Sequence, residues 1–303
     1  MELIDPIELY TYPWDWHKGS REIAKKVRTG LYILKEDGFL RRGITTATTA
    51  CAAMNAAIAS LKSEIDEVEV LTPIGIKVKV EVEILERGFA KAKKFAGDHA
   101  FDVTNGIEIT AKLDGESISF GRGIGSFRGR KSVSSSAMRQ IIQNFKYYAS
   151  KYDYKGGVVI EVPKGEKIAK KTKNEVLGIK GGISILGTTG FVEPWCKELV
   201  RTKIEIAKQY ERIVITTGRK AWLYAFKKYY PKYQPFVFGV YIDEILKKHP
   251  GEKIIVGYPG LLSIWAGGLN KIKERASKYG VRRVEILKSY GLSNNVTEIL
   301  NLS

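Results

Sequence analysis

A mixed α/β protein of two domains is the fold class the sequence predicts. An N-terminal α+β domain is expected over residues 1–155, and a C-terminal open parallel-sheet domain, Rossmann-like in its grammar, over 156–303. Three observations lead there. The chain has 303 residues, too many for one small module and enough for two ordinary domains. Its first half sets alternating strands around a long run of small helix formers. From about residue 178, short apolar strands, Gly or Pro turns and helical stretches repeat at roughly 20–40 residue intervals, the rhythm of a parallel α/β sheet.

The elements follow in order. An aromatic opening (Tyr10, Tyr12, Trp14, Trp16) leads into a predicted helix, Arg21 to Leu34, that ends at Asp37-Gly38. Residues 44–62 are rich in Ala and Thr and predict a helix whose small side chains let neighbours approach closely. Val68–Leu71 and Ile76–Leu85 alternate as strands around a Thr-Pro-Ile-Gly turn, and Ile107–Leu113 with Ser117–Phe120 predict a hairpin through Asp114-Gly115. A helix is expected over 136–150 and a strand over Gly157–Val162. The second half predicts strands at Ile183–Leu186, Arg212–Thr216, Pro235–Val240, Lys253–Val256 and Arg283–Leu287, with helices near 197–209, 220–229, 241–248 and 261–279.

Composition removes several function classes. Hydrophobic residues are 44% and charged residues 27%, the balance of a folded domain with its own core. Two cysteines, Cys51 and Cys196, cannot build a disulfide framework or a cysteine-rich zinc site. His17, His99 and His249 lie far apart with no HExxH spacing, so no protein-held metal is expected. No run of about 18 apolar residues exists to span a membrane, and the opening residues lack a basic-then-apolar secretion signal. A cytoplasmic enzyme is the expectation.

The charge is uneven. The net is +17, with 22 Lys+Arg against 19 Asp+Glu in residues 1–150 and 28 against 14 in 151–303. A lysine-rich solvated surface explains this blandly. An anionic partner in the second half explains it functionally. Lys227-Lys228-Tyr229-Tyr230-Pro231-Lys232-Tyr233 interleaves cations with aromatics as nucleic-acid binders do, but it also reads as a helix end and a Pro loop.

Three segments can carry chemistry. In Leu40-Arg41-Arg42-Gly43-Ile44-Thr45-Thr46-Ala47-Thr48-Thr49-Ala50-Cys51, hydroxyl residues open the Ala-rich helix. The free N–H groups of a first turn suit an anion, and plain N-capping accounts for the same pattern. Cys51 lies among alanines and reads as packing rather than as a nucleophile. The second segment, Gly178 to Pro194, contains Gly181-Gly182, Ser184 and Gly187-Thr188-Thr189-Gly190. It is neither a Walker loop nor GxGxxG. A turn, or a ligand at the carboxyl end of a strand, fits it. The third, Ile213–Gly218, repeats the strand-to-Thr-Thr-Gly ending with Thr216, Thr217 and Gly218. A further strand runs into Gly257-Tyr258-Pro259-Gly260, and several such strand ends point to one ligand cleft. Gly97-Asp98 and Asp102-Val103-Thr104-Asn105-Gly106 frame a loop for which turn chemistry is sufficient, with His99 at its surface.

Together these motifs resemble the cobalt-precorrin-5B C-1-methyltransferases of anaerobic cobalamin biosynthesis, in their archaeal branch. Residues 40–50 are similar to that family's LRRGFTTGTTA. Val162-Pro163-Lys164-Gly165, with Ala169, Thr172 and Asn174, leads to a long and specific LGIKGGISILGTTGFVEP. Ala96-Gly97-Asp98 with Asp102-Val103-Thr104 resembles AGDDPDVT. The likeness runs from about residue 10 to 265. The chain departs from the pattern at Ala47, where the family has glycine, and at 134–138, 235–237 and 266–270.

The resemblance implies methyl transfer from S-adenosylmethionine to ring carbon C-1 of cobalt-precorrin-5B, giving cobalt-precorrin-6A. The acceptor is a tetrapyrrole polycarboxylate carrying acetate and propionate arms. Such chemistry needs two ligands aligned on one axis and no enzyme nucleophile. The implied donor crevice is Gly181, Gly182, Ser184 and Gly187–Gly190, with Thr216, Thr217 and Gly218. Thr45, Thr46, Thr48, Asp98 and Thr104 are expected to face the tetrapyrrole, with Arg139 on a carboxylate arm. No nucleic acid or membrane partner is expected, and a homo-oligomer is compatible with the sequence. The rivals are a diverged relative that binds a corrinoid or nucleotide without methyl transfer, and an RNA-binding protein.

Overall fold

A computed structural model describes residues 2–290 and 294–301, with side chains as far as 287. The chain folds as two compact units. One comprises Lys25–Ile33 and Phe39–Trp195, the other Met1–Ala24, Leu34–Gly38 and Cys196–Ser303. The expected division at 155/156 therefore moves to 195/196, and the aromatic opening belongs with the C-terminal residues.

The first unit is built around the helix Thr46–Ala59, every residue of which is buried. An apolar helix without a polar face is stable only when it is covered all round, and alanines let that cover come close. A six-stranded sheet supplies part of it. Its order is Glu67–Leu71, Lys77–Glu86, Phe89–Lys93, Glu108–Leu113, Val158–Glu161, Ile118–Phe120. Neighbours are antiparallel except the last pair, which is parallel. The helix Ser135–Tyr152, capped by the Ser134 hydroxyl, packs on the small-residue helix. Its buried Asn144 accepts from Leu71 N–H at 3.0 Å and donates to Leu71 C=O at 2.8 Å, so one amide completes a strand end.

Two expectations fail in this unit. The strands on either side of Asp114-Gly115 do not pair as a hairpin, because Val158–Glu161 lies between them. Gly157 makes that insertion possible: a Cβ there would stand 2.3 Å from Ser117 N. The predicted Arg21 to Leu34 helix stops at Arg28, and Gly30, with φ +76°, turns the chain into the strand Tyr32–Lys35, which pairs with Gly38–Arg41.

The second unit holds a five-stranded sheet in the order Gln234–Val237, Arg212–Thr216, Glu252–Gly257, Arg283–Tyr290, Asn294–Asn301. The first four strands are parallel and the last is antiparallel. Helices Arg219–Tyr229, Ile242–Lys248 and Pro259–Ala266 follow successive strands. The predicted helix over 261–279 is broken at Gly267 (φ +76°) and resumes at Ile272–Ser277. Ile183–Leu186 is not a strand of this sheet. Gly182–Ile183 instead pairs in parallel with Gly123–Ile124 in the first unit.

The aromatic opening closes one side of the parallel sheet. Tyr10 stacks on Phe236 with ring centroids 5.5 Å apart. Glu8, fully buried, bonds to the Lys203 ammonium and accepts from Val237 N–H at 3.0 Å. A buried ion pair held by further hydrogen bonds is costly to break by removing one partner. The Asn144→Ala substitution is expected to destabilise the first unit by about 1–3 kcal/mol, because it leaves Leu71 N–H without its acceptor and Leu71 C=O with only the longer Gln140 bond of 3.3 Å. Chemical denaturation of the variant beside the wild type measures it.

Candidate functional site

The first predicted segment becomes a clamp. Thr45 caps the buried helix by accepting from Thr48 N–H at 3.2 Å. The following hydroxyls reach the 184–190 loop. Thr46 Oγ1 accepts from Leu186 N–H at 2.8 Å and lies 3.3 Å from the carbonyls of Ser184 and Leu186. Thr48 donates to Gly190 C=O at 2.9 Å, while Thr45 N–H and Ala47 N–H donate to Gly190 C=O and Leu186 C=O. Residues expected to face different ligands thus hold one another.

Close approach explains the glycines. A Cβ at Gly187 would lie 2.6 Å from Thr45 Oγ1 and 3.2 Å from the Ala47 Cβ; one at Gly190 would lie 2.6 Å from Thr72. Gly182 meets Gly123 C=O at 2.1 Å by the same construction, so Gly182 serves backbone-to-backbone packing. Gly181 (φ +76°) is open. Ser184 and Ser132 share a hydrogen bond of 2.8 Å. Thr189 closes a turn on Phe191, and the neighbouring Thr188 is exposed.

The Arg41-Arg42-Gly43 segment interlocks with Ala96-Gly97-Asp98. Gly97 and Gly43 each lie within 2.6 Å of the other's stretch of backbone once a Cβ is added. Asp98 accepts from Arg41 N–H at 2.7 Å and pairs with its side chain at 3.1 Å. Arg42 is fully buried; its guanidinium pairs with Glu193 at 2.8 Å and donates to Gly30 C=O at 3.2 Å. Thr104 donates to Asp102, which also pairs with Lys94. Burial pushes the Asp102 carboxyl up, but Lys94 and the Thr104 hydroxyl and N–H together outweigh it and hold the group below the usual carboxylate range. Arg139 is exposed on the helix that begins at Ser135.

Thr216–Gly218 lies in the second unit. Thr216 is buried and donates to Phe236 C=O at 2.9 Å. Thr217 Oγ1 accepts from Tyr258 N–H at 3.3 Å, and a Cβ at Gly257 would come within 2.5 Å of Thr217. The carboxyl ends of the two central strands therefore meet at Thr217 and Gly257. Beyond them, Gly218 and Tyr258 precede helices that no side chain caps, and a Cβ at Gly218 would touch nothing within 4 Å. The first turn after Gly218 has N–H groups that no side chain caps, which suits an anionic ligand, whereas the helix after Tyr258 opens on Pro259, which has no N–H.

Sequence reasoning missed the glycine clasp of Gly123, Gly125, Gly165 and Gly182, although Gly121-Arg122-Gly123-Ile124-Gly125 advertised it. It also missed Ser132, Gln140 and Asn144, isolated polar residues in otherwise ordinary stretches. Cys51 is fully buried and burial pushes its thiol up, so it packs and does not react. Among the described residues no group of three His, Cys, Asp or Glu could hold a metal ion, and no helix is long and apolar enough to cross a membrane.

A glycine-clamped α+β unit and a parallel α/β unit whose strand ends run into helix starts without side-chain caps define a mixed α/β protein. The comparisons specify which. The CbiD family matches over residues 33–194. A cobalt-precorrin-5B C(1)-methyltransferase of Archaeoglobus fulgidus is 65% identical over 94% of both chains. Relatives of the same name from Methanosarcina acetivorans and Ruminiclostridium cellulolyticum are 37% and 36% identical, over 87% and 81% of this chain and 82% and 72% of their own. A crystal structure titled cobalamin biosynthesis protein (cbiD) from Archaeoglobus fulgidus superposes with a TM-score of 0.89 at 64% identity, covering 92% of this chain and 98% of that one. This chain belongs to the CbiD family, the cobalt-precorrin-5B C(1)-methyltransferases.

Two measurements test the clamp and the loop. Thr46→Val leaves Leu186 N–H without its acceptor and is expected to lower unfolding free energy by about 1–3 kcal/mol in a denaturant melt. For Asp102, a depressed carboxyl contributes stability above the ordinary carboxylate pKa, about 3.9, and loses it as pH falls through the lower folded value. The Asp102→Asn deficit is therefore expected in thermal melts at pH 7 and pH 5, and the two proteins should converge at the acid end.

Proposed function

We propose that this chain is a methyltransferase that adds one methyl group to ring carbon C-1 of cobalt-precorrin-5B in cobalamin biosynthesis, with S-adenosylmethionine as donor. The observation that carries the reading is the 65% identity, over 94% of both chains, to a protein named for that reaction.

The strand order of the second unit supports a Rossmann-like reading. The chain passes from the 212–216 strand to 234–237 on one side, then crosses to 252–257 on the other. The order reverses between 212–216 and 252–257, where open α/β sheets bind ligands at their carboxyl ends. Thr216, Thr217 and Gly218 lie at that reversal. The residues fit a donor: Gly218 leaves room, the first-turn N–H groups after it suit the carboxylate, and buried Thr217, accepting from Tyr258 N–H, ties the two strand ends together. When bound, S-adenosylmethionine supplies an electrophilic methyl group on a sulfonium. The chain orients that ligand and needs no proton-transfer group to do so. Fixing two reactants on one axis can itself contribute several kcal/mol, on the order of 7–11 in well-oriented systems.

In the first unit the clamped 184–190 loop holds its backbone still and presents Thr188 outward. Thr45, Thr46 and Thr48 act on the acceptor side by positioning this loop. Gly187 is a poor probe of ligand contact, since any side chain there strikes Thr45.

Gly218→Val is the sharper test. Gly218 has extended backbone (φ 174°) and no atom within 4 Å of an added Cβ, so the fold tolerates the change. Calorimetry with S-adenosylmethionine is expected to show at least a tenfold loss of affinity at unchanged Tm. The reaction itself is scored by incubating protein, methyl-labelled donor and cobalt-precorrin-5B: a mass gain of one methyl supports the function, and its absence with folded wild type sinks it.

A further inference from the structure

Within the first unit, one surface carries more exposed apolar area and more positive charge than its packing uses. The short hairpin Ser126–Phe127/Arg130–Lys131 lies beside residues 170–180: Ser126 and Lys180 exchange backbone hydrogen bonds of 2.8 and 3.0 Å, and a Cβ on Gly178 would sit 3.4 Å from the Phe127 ring. At this junction Val176 is 87% exposed, Leu177 63% and Phe127 43%. Contiguous exposed side chains of this size mark an interaction site rather than a neutral surface.

The apolar tip is not loosely tethered. Asn174 donates to Gly182 C=O at 3.1 Å and accepts Ile179 N–H through its own carbonyl at 2.8 Å, while Thr172 Oγ1 accepts Asn174 N–H at 3.1 Å. Beneath it the backbones at Gly123, Gly125 and Gly182 run too close for any side chain. The fold holds Val176 and Leu177 in solvent at a fixed place, which opposes their tendency to bury.

Around the tip the charge is one-sided. Residues 126–131 and 170–180 hold seven Lys or Arg and one acid, Glu175. Lys131 is spent on the Gly121 and Ile124 carbonyls at 2.6 and 3.0 Å. Arg128 is exposed and its guanidinium lies over the Phe127 ring, 5.2 Å from the centroid. Arg128, Arg130, Lys173 and Lys180 are all exposed.

We propose that this surface, with Phe127, Val176 and Leu177 as the platform and Arg128, Arg130 and Lys180 as the cations beside it, docks the flat face and carboxylate arms of the tetrapyrrole acceptor. The inference rests on the function proposed above and assigns its acceptor site. A macrocycle offers an apolar face and an anionic edge, and the surface offers the complement of each. A single-stranded RNA would meet the cations but would call for several stacking rings, and Phe127 is the single aromatic side chain in these two segments.

The test uses the full chain and three variants: Arg128→Glu/Arg130→Glu, Val176→Asp/Leu177→Asp, and Arg128→Lys/Arg130→Lys. An octacarboxylate porphyrin serves as a stable fluorescent probe. Wild type is expected to bind it with an affinity that falls as salt rises. The first two variants are expected to lose about tenfold or more, at unchanged Tm, and the lysine variant to retain most binding. In the methyl-transfer assay the same two variants should raise KM for cobalt-precorrin-5B about tenfold with kcat within twofold. If wild type turns over and the variants keep its KM, the docking surface is wrong and the function stands; if wild type does not methylate at all, the functional reading fails first and the assigned acceptor falls with it. Tighter binding of a mixed-sequence RNA than of the porphyrin, abolished by the charge reversal, overturns the assignment in favour of nucleic acid.

Discussion

A helix composed of alanine, threonine and a few small partners can be covered on every side only by backbone that comes unusually close. That constraint governs the Thr46–Ala59 helix and, through it, the first unit. A helix covered by a sheet, a second helix and a loop has no room for large side chains, and its buried polar atoms must be met. The threonines of its first turn meet them with the 184–190 backbone. Asn55 meets Glu69 C=O at 3.0 Å, and Gln140 reaches Thr48 at 3.1 Å. Each bond ties the helix to chain far away in sequence, so the loop is held as firmly as the core. Gly187 and Gly190 belong to the same constraint, because their lack of a Cβ brings the loop within reach of the threonine hydroxyls.

This explains what the sequence could and could not disclose. The small-residue helix, the alternating strands and the parallel strand rhythm were legible, because each is a local periodicity. The three Gly/Thr segments stood out for the same reason. Their partnerships were not legible. Gly187–Gly190 and Thr216–Gly218 share a Thr-Thr-Gly ending, yet the first docks on Thr45–Thr48 and the second on Gly257 and Tyr258. The Asp114-Gly115 turn was visible, but not the Val158–Glu161 strand inserted between its arms, since pairing from about forty residues away leaves no local mark. The unit boundary was displaced for a related reason: residues 170–195 are largely glycine-bearing loops that read as the start of an α/β domain, while their pairings lie with Gly43–Ile44, Gly123–Ile124 and Val133.

The charge takes a different shape once the units are known. The excess divides between the units: the parallel-sheet unit, 1–24, 34–38 and 196–303, holds 23 Lys+Arg against 16 Asp+Glu, and the first unit holds 27 against 17. Part of that excess is structural. Lys203 lies buried on Glu8, and Lys228 reaches the fully buried Glu285 at 2.7 Å. The cations of 126–131 and 170–180 differ, because those two stretches hold seven Lys or Arg and a single acid, Glu175. Local imbalance, rather than the net +17, is the quantity that bears on a polycarboxylate.

Direct methyl transfer asks a protein for alignment and for nothing that attacks. The described residues agree with that demand at several independent points. Cys51 is sealed among alanines with its thiol pushed up by burial. His249 has its pKa lowered by burial and is bonded to Tyr210 C=O, so the imidazole is fixed in structure. The Arg42–Glu193 pair lies within the packing of the loop it anchors. Cys51 and His249 are held within the packing, while Gly218, Thr188 and the Phe127–Leu177 surface are open among the described residues. Where such a protein has its rate decided by distance, the residues to watch are those that set distance. Here these are glycines whose missing Cβ brings one backbone against another, and threonines whose short side chains fix the gap.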